Sequence, residues 1–161
     1  GVTTYAGFFY RIAMEPFFIE IEPMFSNYRI PIKVQNIQDW NGGSVTQYER
    51  FTTIDLSLMF GVRAWETLRF QGGISGQYYF NINSDMEIFS ENYSNEWEQY
   101  VQSWKLGVGL DFEKFTLEVN YENPFATAGN NVKFFGNDYQ LNLNRKRLEV
   151  KLGLALNQAF K

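Results

Sequence analysis

Trp104-Lys105-Leu106-Gly107-Val108-Gly109-Leu110-Asp111-Phe112 is the stretch that decides the fold. Every second residue is large and apolar, and every residue between is glycine or charged. A strict period of two places the two sets on opposite faces of a β-strand. The unusual face is the second one. It is small or charged rather than simply polar.

The same contrast runs outward in both directions. A candidate strand over residues 5–14 sets Phe8, Tyr10, Ile12 and Met14 against Gly7, Arg11 and Ala13, with Phe9 out of pattern. After Glu15-Pro16, Phe17, Ile19, Ile21 and Phe25 oppose Glu20, Glu22 and Ser26. Residues 51–63 place Ile54, Leu56, Leu58, Phe60 and Val62 against Thr53, Asp55, Ser57, Gly61 and Arg63. Residues 67–82 place Leu68, Phe70, Ile74, Tyr78 and Phe80 against Arg69, Gln71, Gly73, Ser75 and Gln77. Further strands are expected near 114–123, 138–144 and 147–160. In the last, Leu148, Val150, Leu152 and Leu154 oppose Arg147, Glu149, Lys151 and Gly153.

A water-soluble barrel would put the apolar face inside. A closed barrel of about eight strands has little interior room for so many Phe, Leu and Tyr side chains. A wet outer face also has no need of Gly61, Gly73, Gly107, Gly109 and Gly153. A narrow interior does need them, because a long charged side chain from one strand must lie over a small residue of another. Turning the sheet inside out meets both requirements. The expected fold is therefore all-β: an antiparallel, transmembrane, up-and-down β-barrel of about eight strands, forming one domain over residues 1–161. The segments Phe17–Phe25, Ile54–Val62 and Trp104–Phe112 each span nine residues, near the roughly 9–11 a tilted membrane strand uses. Aromatics at the strand ends, among them Phe17, Phe18, Trp65, Phe112 and Phe115 at one side and Phe25, Tyr48, Tyr78, Tyr79 and Phe125 at the other, read as two interfacial girdles.

Composition narrows the chemistry. Aromatic residues make up 19% of the chain, and no run approaches the roughly 18–20 apolar residues of a membrane helix. Cysteine and histidine are absent, which removes thiol nucleophiles, disulfides, imidazole metal sites and Ser-His hydrolysis. A net charge of -4 gives no basic footprint for nucleic acid. No enzyme activity, cofactor or metal is expected. An acidic loop carrying Asp85, Glu87, Glu91, Glu96 and Glu98 lacks calcium-loop spacing and reads as solvated.

Short turns are expected near Glu15-Pro16, Trp65-Glu66, Glu113-Lys114 and Arg145-Lys146, and long loops over 27–50, 83–99 and 123–137. Trp40-Asn41-Gly42-Gly43 and Ala128-Gly129-Asn130-Asn131 read as loop tips. Counted this way, both termini fall at the long-loop rim, against the usual arrangement. Either a first strand lies upstream of Gly1 and residues 138–160 make one long bulged final strand, or the eight strands stand and the long loops face the periplasm. The first is preferred.

Gly7-Phe8-Phe9-Tyr10-Arg11 followed by Phe17-Phe18-Ile19-Glu20-Ile21-Glu22-Pro23-Met24-Phe25-Ser26 resembles the second and third strands of PorT-like outer-membrane β-barrels of Bacteroidetes. Ile54-Asp55-Leu56-Ser57-Leu58, Gly72-Gly73-Ile74-Ser75-Gly76 and Phe115-Thr116-Leu117-Glu118 are similar to later parts of that family, in the same order. The resemblance implies an eight-stranded barrel of the OmpA/OmpX type, with some members acting as accessory parts of secretion or assembly machinery. Gly153, Leu154, Leu156 and Phe160 resemble the closing-strand signal read by the barrel assembly machinery. Lys161 departs from its usual terminal aromatic.

Inward projection gathers Arg11, Arg63, Arg69, Lys105, Arg147 and Lys151 with Glu20, Glu22, Asp55, Asp111, Glu118, Glu122 and Glu149. Unpaired buried charge is costly, so these residues are expected to pair into a plug that fills the lumen. The expected role is structural or accessory: a subunit of a secretion, transport or assembly complex in the outer membrane of a Gram-negative bacterium. Its partners would be outer-membrane lipids, the assembly machinery during insertion, and other outer-membrane proteins. The alternatives are a small ion or solute pore and a soluble lipocalin-like lipid-binding barrel.

Overall fold

The alternating segments form antiparallel strands in the computed structural model, which describes residues 4–34, 45–84, 94–95, 100–125, 128–134, 137–143 and 146–154. The strands are β1 (Thr4–Gly7), β2 (Tyr10–Met14), β3 (Phe17–Val34), β4 (Val45–Arg63), β5 (Leu68–Ser84), β6 (Ser94–Asn95), β7 (Tyr100–Asp111), β8 (Phe115–Pro124), β9 (Ala128–Phe134), β10 (Asn137–Leu143) and β11 (Arg147–Leu154). There is no helix among the described residues. Eight strands make the main sheet, in the order β1-β3-β4-β5-β7-β8-β11 with β2 also beside β3. The fold is the expected all-β, antiparallel, up-and-down, barrel-like sheet.

β1 and β2 share one position. Gly7 pairs with Met24 and Tyr10 with Ile21, in a single register along β3. Pro23 lies opposite the gap between them. The Phe8 N–H donates to the Pro23 carbonyl at 3.0 Å, but proline has no N–H to return. The ladder lapses at Phe8-Phe9 and resumes at Tyr10. Eight strands therefore fill seven positions.

Tight turns at residues 15–16, 64–67 and 112–114 close one rim. At the other rim the strands run further than expected. β3 and β4 stay paired from Asn27↔Thr52 to Val34↔Val45, so residues 27–34 and 45–50 of the loop placed over 27–50 belong to strands. Along 28–34 the large apolar residues Tyr28, Ile30, Ile32 and Val34 fall on the opposite parity from Phe17, Ile19, Ile21 and Phe25, so a reading that follows one face stops too early. The loop placed over 123–137 is largely a strand, because β9 pairs with β10 from Ala128↔Leu143 to Phe134↔Asn137. Ala128-Gly129-Asn130-Asn131 thus lies within a ladder rather than at a tip. Cross-strand pairing overrides the poor strand preference of Gly and Asn.

The strand expected at 138–144 exists as β10 but leaves the main sheet. It joins β9 and the two-residue β6 in a separate three-stranded sheet, ordered β10-β9-β6. Of the long final strand envisaged over 138–160, the described residues form β10 and β11, which belong to different sheets. Trp40-Asn41-Gly42-Gly43 and most of the acidic loop lie outside the described residues.

The sheet curls strongly. Arg11 on β2 reaches Asp111 on β7 at 3.0 Å. Lys151 on β11 reaches Glu22 on β3 at 2.6 Å, and Arg147 reaches Asp55 on β4 at 3.3 Å. These strands are not sheet neighbours, so the contacts cross a shared concave interior. The convex face carries Ile54, Leu56, Phe60, Phe70, Ile74, Leu106, Val108, Leu117, Val119 and Leu152, all exposed. Among the described residues most buried side chains are polar or charged, and most large apolar side chains are exposed.

Candidate functional site

The interior is built by parity. On β8, Thr116, Glu118, Asn120 and Glu122 point inward and are buried. On β4, Phe51, Thr53, Asp55, Ser57 and Met59 do the same. Long side chains from one strand then lie over glycines of another. The Arg69 guanidinium occupies the space a side chain on Gly109 would need. The Phe18 ring sits on Gly61, and the Asn120 amide on Gly107. Glycine here supplies depth: any larger residue would collide with the group it seats.

All thirteen charged residues projected inward from the sequence take part in ion pairs. Near the tight-turn rim, Arg11 pairs with Glu20 at 2.5 Å and with Asp111. Arg69 pairs with Asp111 and, at 2.5 Å, with Glu118. Arg69 also donates to Thr116 Oγ1 at 2.9 Å, and Thr116 donates to Asp111 at 2.8 Å. Arg63 faces Asp111 at 4.0 Å and Glu15 at 2.5 Å, at the exposed mouth. Deeper in, Lys151 bridges Glu22 at 2.6 Å and Glu118 at 3.5 Å. Toward the other rim, Lys105 lies 3.2 Å from Glu149 and 3.4 Å from Glu122. Arg147 contacts Glu122 at 2.5 Å, and Glu149 and Asp55 at 3.3 Å each.

Neutral groups extend the network beyond what inward charges alone foretell. Gln71 Nε2 donates to Asn120 Oδ1 at 3.1 Å, and the Asn120 amide donates to Glu118. Ser75 donates to Glu122 at 2.9 Å. Ser26 and Thr53 share a hydrogen bond of 2.6 Å, Gln77 donates to Thr53 at 3.2 Å, and Tyr79 donates to Gln77 at 2.5 Å. Phe51 meets Tyr79 edge to face, 5.8 Å between ring centres. Phe18 and Tyr79, read as girdle residues, are instead 3% exposed and inside. Their parity follows Glu20 and Gln77, and parity outranks the tendency of aromatics to gather at rims. The same rule would have found Phe51 and Met59.

Glu20, Glu22 and Glu118 bring carboxylate oxygens within 4.8 Å of one another. Arg11, Lys151 and Arg69 already face them, so three cations balance three acids. Among the described residues, Glu20 Oε1 and Ser57 Oγ are buried without a hydrogen-bond partner. The arrangement engages hydroxyls as well as charges, since Ser75 donates to Glu122 and Thr116 to Asp111. It can hold charge, exclude solvent and stiffen the wall. On the convex face, Gly76 lies beneath the Tyr100 hydroxyl and Gly72 touches Leu106, so neighbouring side chains cover both breaks in the apolar band. Gly153 and Leu154 lie on β11. Leu156 and Phe160 lie outside the described residues.

No protein-family model matches the chain. No curated protein matches it, and no solved structure does.

Proposed function

We propose that this protein is a barrel spanning the outer membrane of a Gram-negative bacterium, with a lumen closed by a salt-bridged plug. Its role is structural or accessory, within a larger secretion, transport or assembly complex. The observation that carries this reading is the inversion of the two faces. Soluble monomers rarely expose contiguous apolar patches beyond a few hundred Å², whereas here the apolar face is exposed on strand after strand from β2 to β11. Lipid is the solvent that such a face fits, and a closed sheet is the one β architecture that meets its demands. The resemblance of residues 7–26 and later segments to PorT-like barrels supports the accessory role in a complex.

The interior argues for a plug over a conduit, since barrels of this size are just wide enough for side chains to fill. It argues against a lipocalin-type carrier, which needs an apolar cavity where this chain has ion pairs. Fractionation is the direct test. The protein should stay with the membrane pellet after alkaline carbonate washing and show heat-modifiable electrophoretic mobility in detergent. Recovery in the soluble fraction would defeat the reading. In planar bilayers the purified protein should give no discrete conductance steps; regular steps would favour the small pore. Co-elution from mild detergent then identifies the complex.

A further inference from the structure

Two buried oxygens lack a partner, and they border the same cluster of acids. Glu20 is 1% exposed and Ser57 0%, yet Glu20 Oε1 and Ser57 Oγ make no hydrogen bond. Ser57 stands directly opposite Glu22 in the β3–β4 ladder, and both side chains are buried on the inner face. Residues so opposed have Cβ atoms about 4.5–5.5 Å apart. Glu20 is the next inward residue along β3. Glu118 reaches the same place from β8, and Glu20, Glu22 and Glu118 each bring a carboxylate oxygen within 4.8 Å of the others.

The cations that face this cluster are shared with other acids. Arg11 and Arg69 also hold Asp111, and Lys151 also faces Glu149 at 3.7 Å. Arg63 sits at the mouth, divided between Asp111 and Glu15. The inward charges as a whole are the seven carboxylates of Glu20, Glu22, Asp55, Asp111, Glu118, Glu122 and Glu149 against six cations. One negative charge is left over. Buried charge without a partner is costly, and a buried polar atom without one calls for an explanation such as a bound ion.

We propose that Glu20, Glu22, Glu118 and Ser57 form a binding site for one dehydrated monovalent cation of sodium size. Hard cations of that size take oxygen ligands at about 2.3–2.6 Å, so oxygens on opposite sides of one ion lie about 4.6–5.2 Å apart. The three carboxylates fit that span. One positive charge matches the surplus of one. The same ion gives Glu20 Oε1 and Ser57 Oγ the partner they lack. A water molecule would satisfy those oxygens but cancel no charge. A proton on Glu20 would cancel the charge but leave Ser57 Oγ as it is. The site goes beyond the plug reading, because part of the seal is then a ligand. It requires the closed polar interior and not the membrane.

The test is urea unfolding of the full natural polypeptide, in lipid vesicles or, where fractionation finds it soluble, in buffer. Sodium chloride is exchanged for choline chloride at constant ionic strength, choline being too large to enter. Once the site is filled, the unfolding equilibrium constant should fall about tenfold for each tenfold rise in sodium. Equal stability in the two salts, from millimolar to several hundred millimolar, would overturn the site and leave a proton or water as the occupant. Two substitutions locate it. Glu20→Gln removes the surplus charge and should abolish the sodium dependence, with stability in choline at or above that of the unsubstituted protein. A purely structural role for Glu20 predicts a loss in choline instead. Ser57→Ala deletes an unpartnered hydroxyl, so it should be neutral or stabilising in choline while raising the sodium concentration needed. Sodium dependence unchanged in both variants would overturn the assignment to this cluster. The salt comparison reads the same in either fraction, so its failure is separable from failure of the membrane assignment.

Discussion

The two faces of β8 share one backbone and obey opposite rules. Thr116, Glu118, Asn120 and Glu122 are buried, while Leu117, Val119 and Tyr121, each one residue away, are exposed. In a water-soluble sheet the roles are reversed. The difference teaches where cohesion lies. On the proposed membrane reading the outer face gains by contact with lipid, and among the described residues the interior is held mainly by ion pairs and hydrogen bonds, with Phe18, Phe51, Met59 and Tyr79 packed among them. Removing an inward charge should therefore hurt more than altering an outward side chain.

The largest effect is expected at Arg69, which is 1% exposed and faces both Asp111 and Glu118. Arg69→Met leaves the buried Glu118 and the part-buried Asp111 short of a partner and should cost about 3–5 kcal/mol, read from urea unfolding in lipid vesicles. A cost below about 1 kcal/mol, the range of exposed pairs, would mean the interior is wet. Next comes the outer face. Leu56→Arg should cost about 2–4 kcal/mol in vesicles if Leu56 lies near the bilayer midplane. No loss would break the contrast between the faces. Gly109→Val should cost about 1–3 kcal/mol by overpacking, because its side chain would displace the Arg69 guanidinium. The same change at Gly72 on the outer face should cost less, since only Leu106 and a backbone carbonyl stand nearby. The smallest effect is at the mouth. Glu15→Gln breaks the Arg63 pair, but Glu15 is more than half exposed, and exposed pairs contribute about 0–1 kcal/mol.

Most of the wall was legible from residue alternation because a strand has a period of two and one slip would invert every side chain. Glu20, Glu22, Glu118 and Glu122 all lie inward for that reason. The readings that failed share a cause. Sorting by residue type sends Phe18 and Tyr79 to the rims, although their neighbours' parity places them inside. Residues 45–50 and 128–134 lack a strong apolar face, and in 28–34 the apolar set of Tyr28, Ile30, Ile32 and Val34 changes parity from that of Phe17, Ile19, Ile21 and Phe25, so following one face ends the strand early where backbone pairing continues it. Pro23 carried a legible signal too: it cannot donate, and β1 and β2 are separated opposite it.

The amino-acid order by itself determined which side chains share a face, because that follows from the geometry of one extended chain. It determined the charge inventory of the interior and the glycines on which long groups rest. Only the tertiary structure decided that Arg69 meets Asp111 and Glu118, that Arg147 reaches Asp55, and that β10 leaves the main sheet to pair with β9. Those outcomes depend on how seven positions curl and stagger around a common axis. Pairing register and curvature are collective properties of the sheet, and no single strand encodes them.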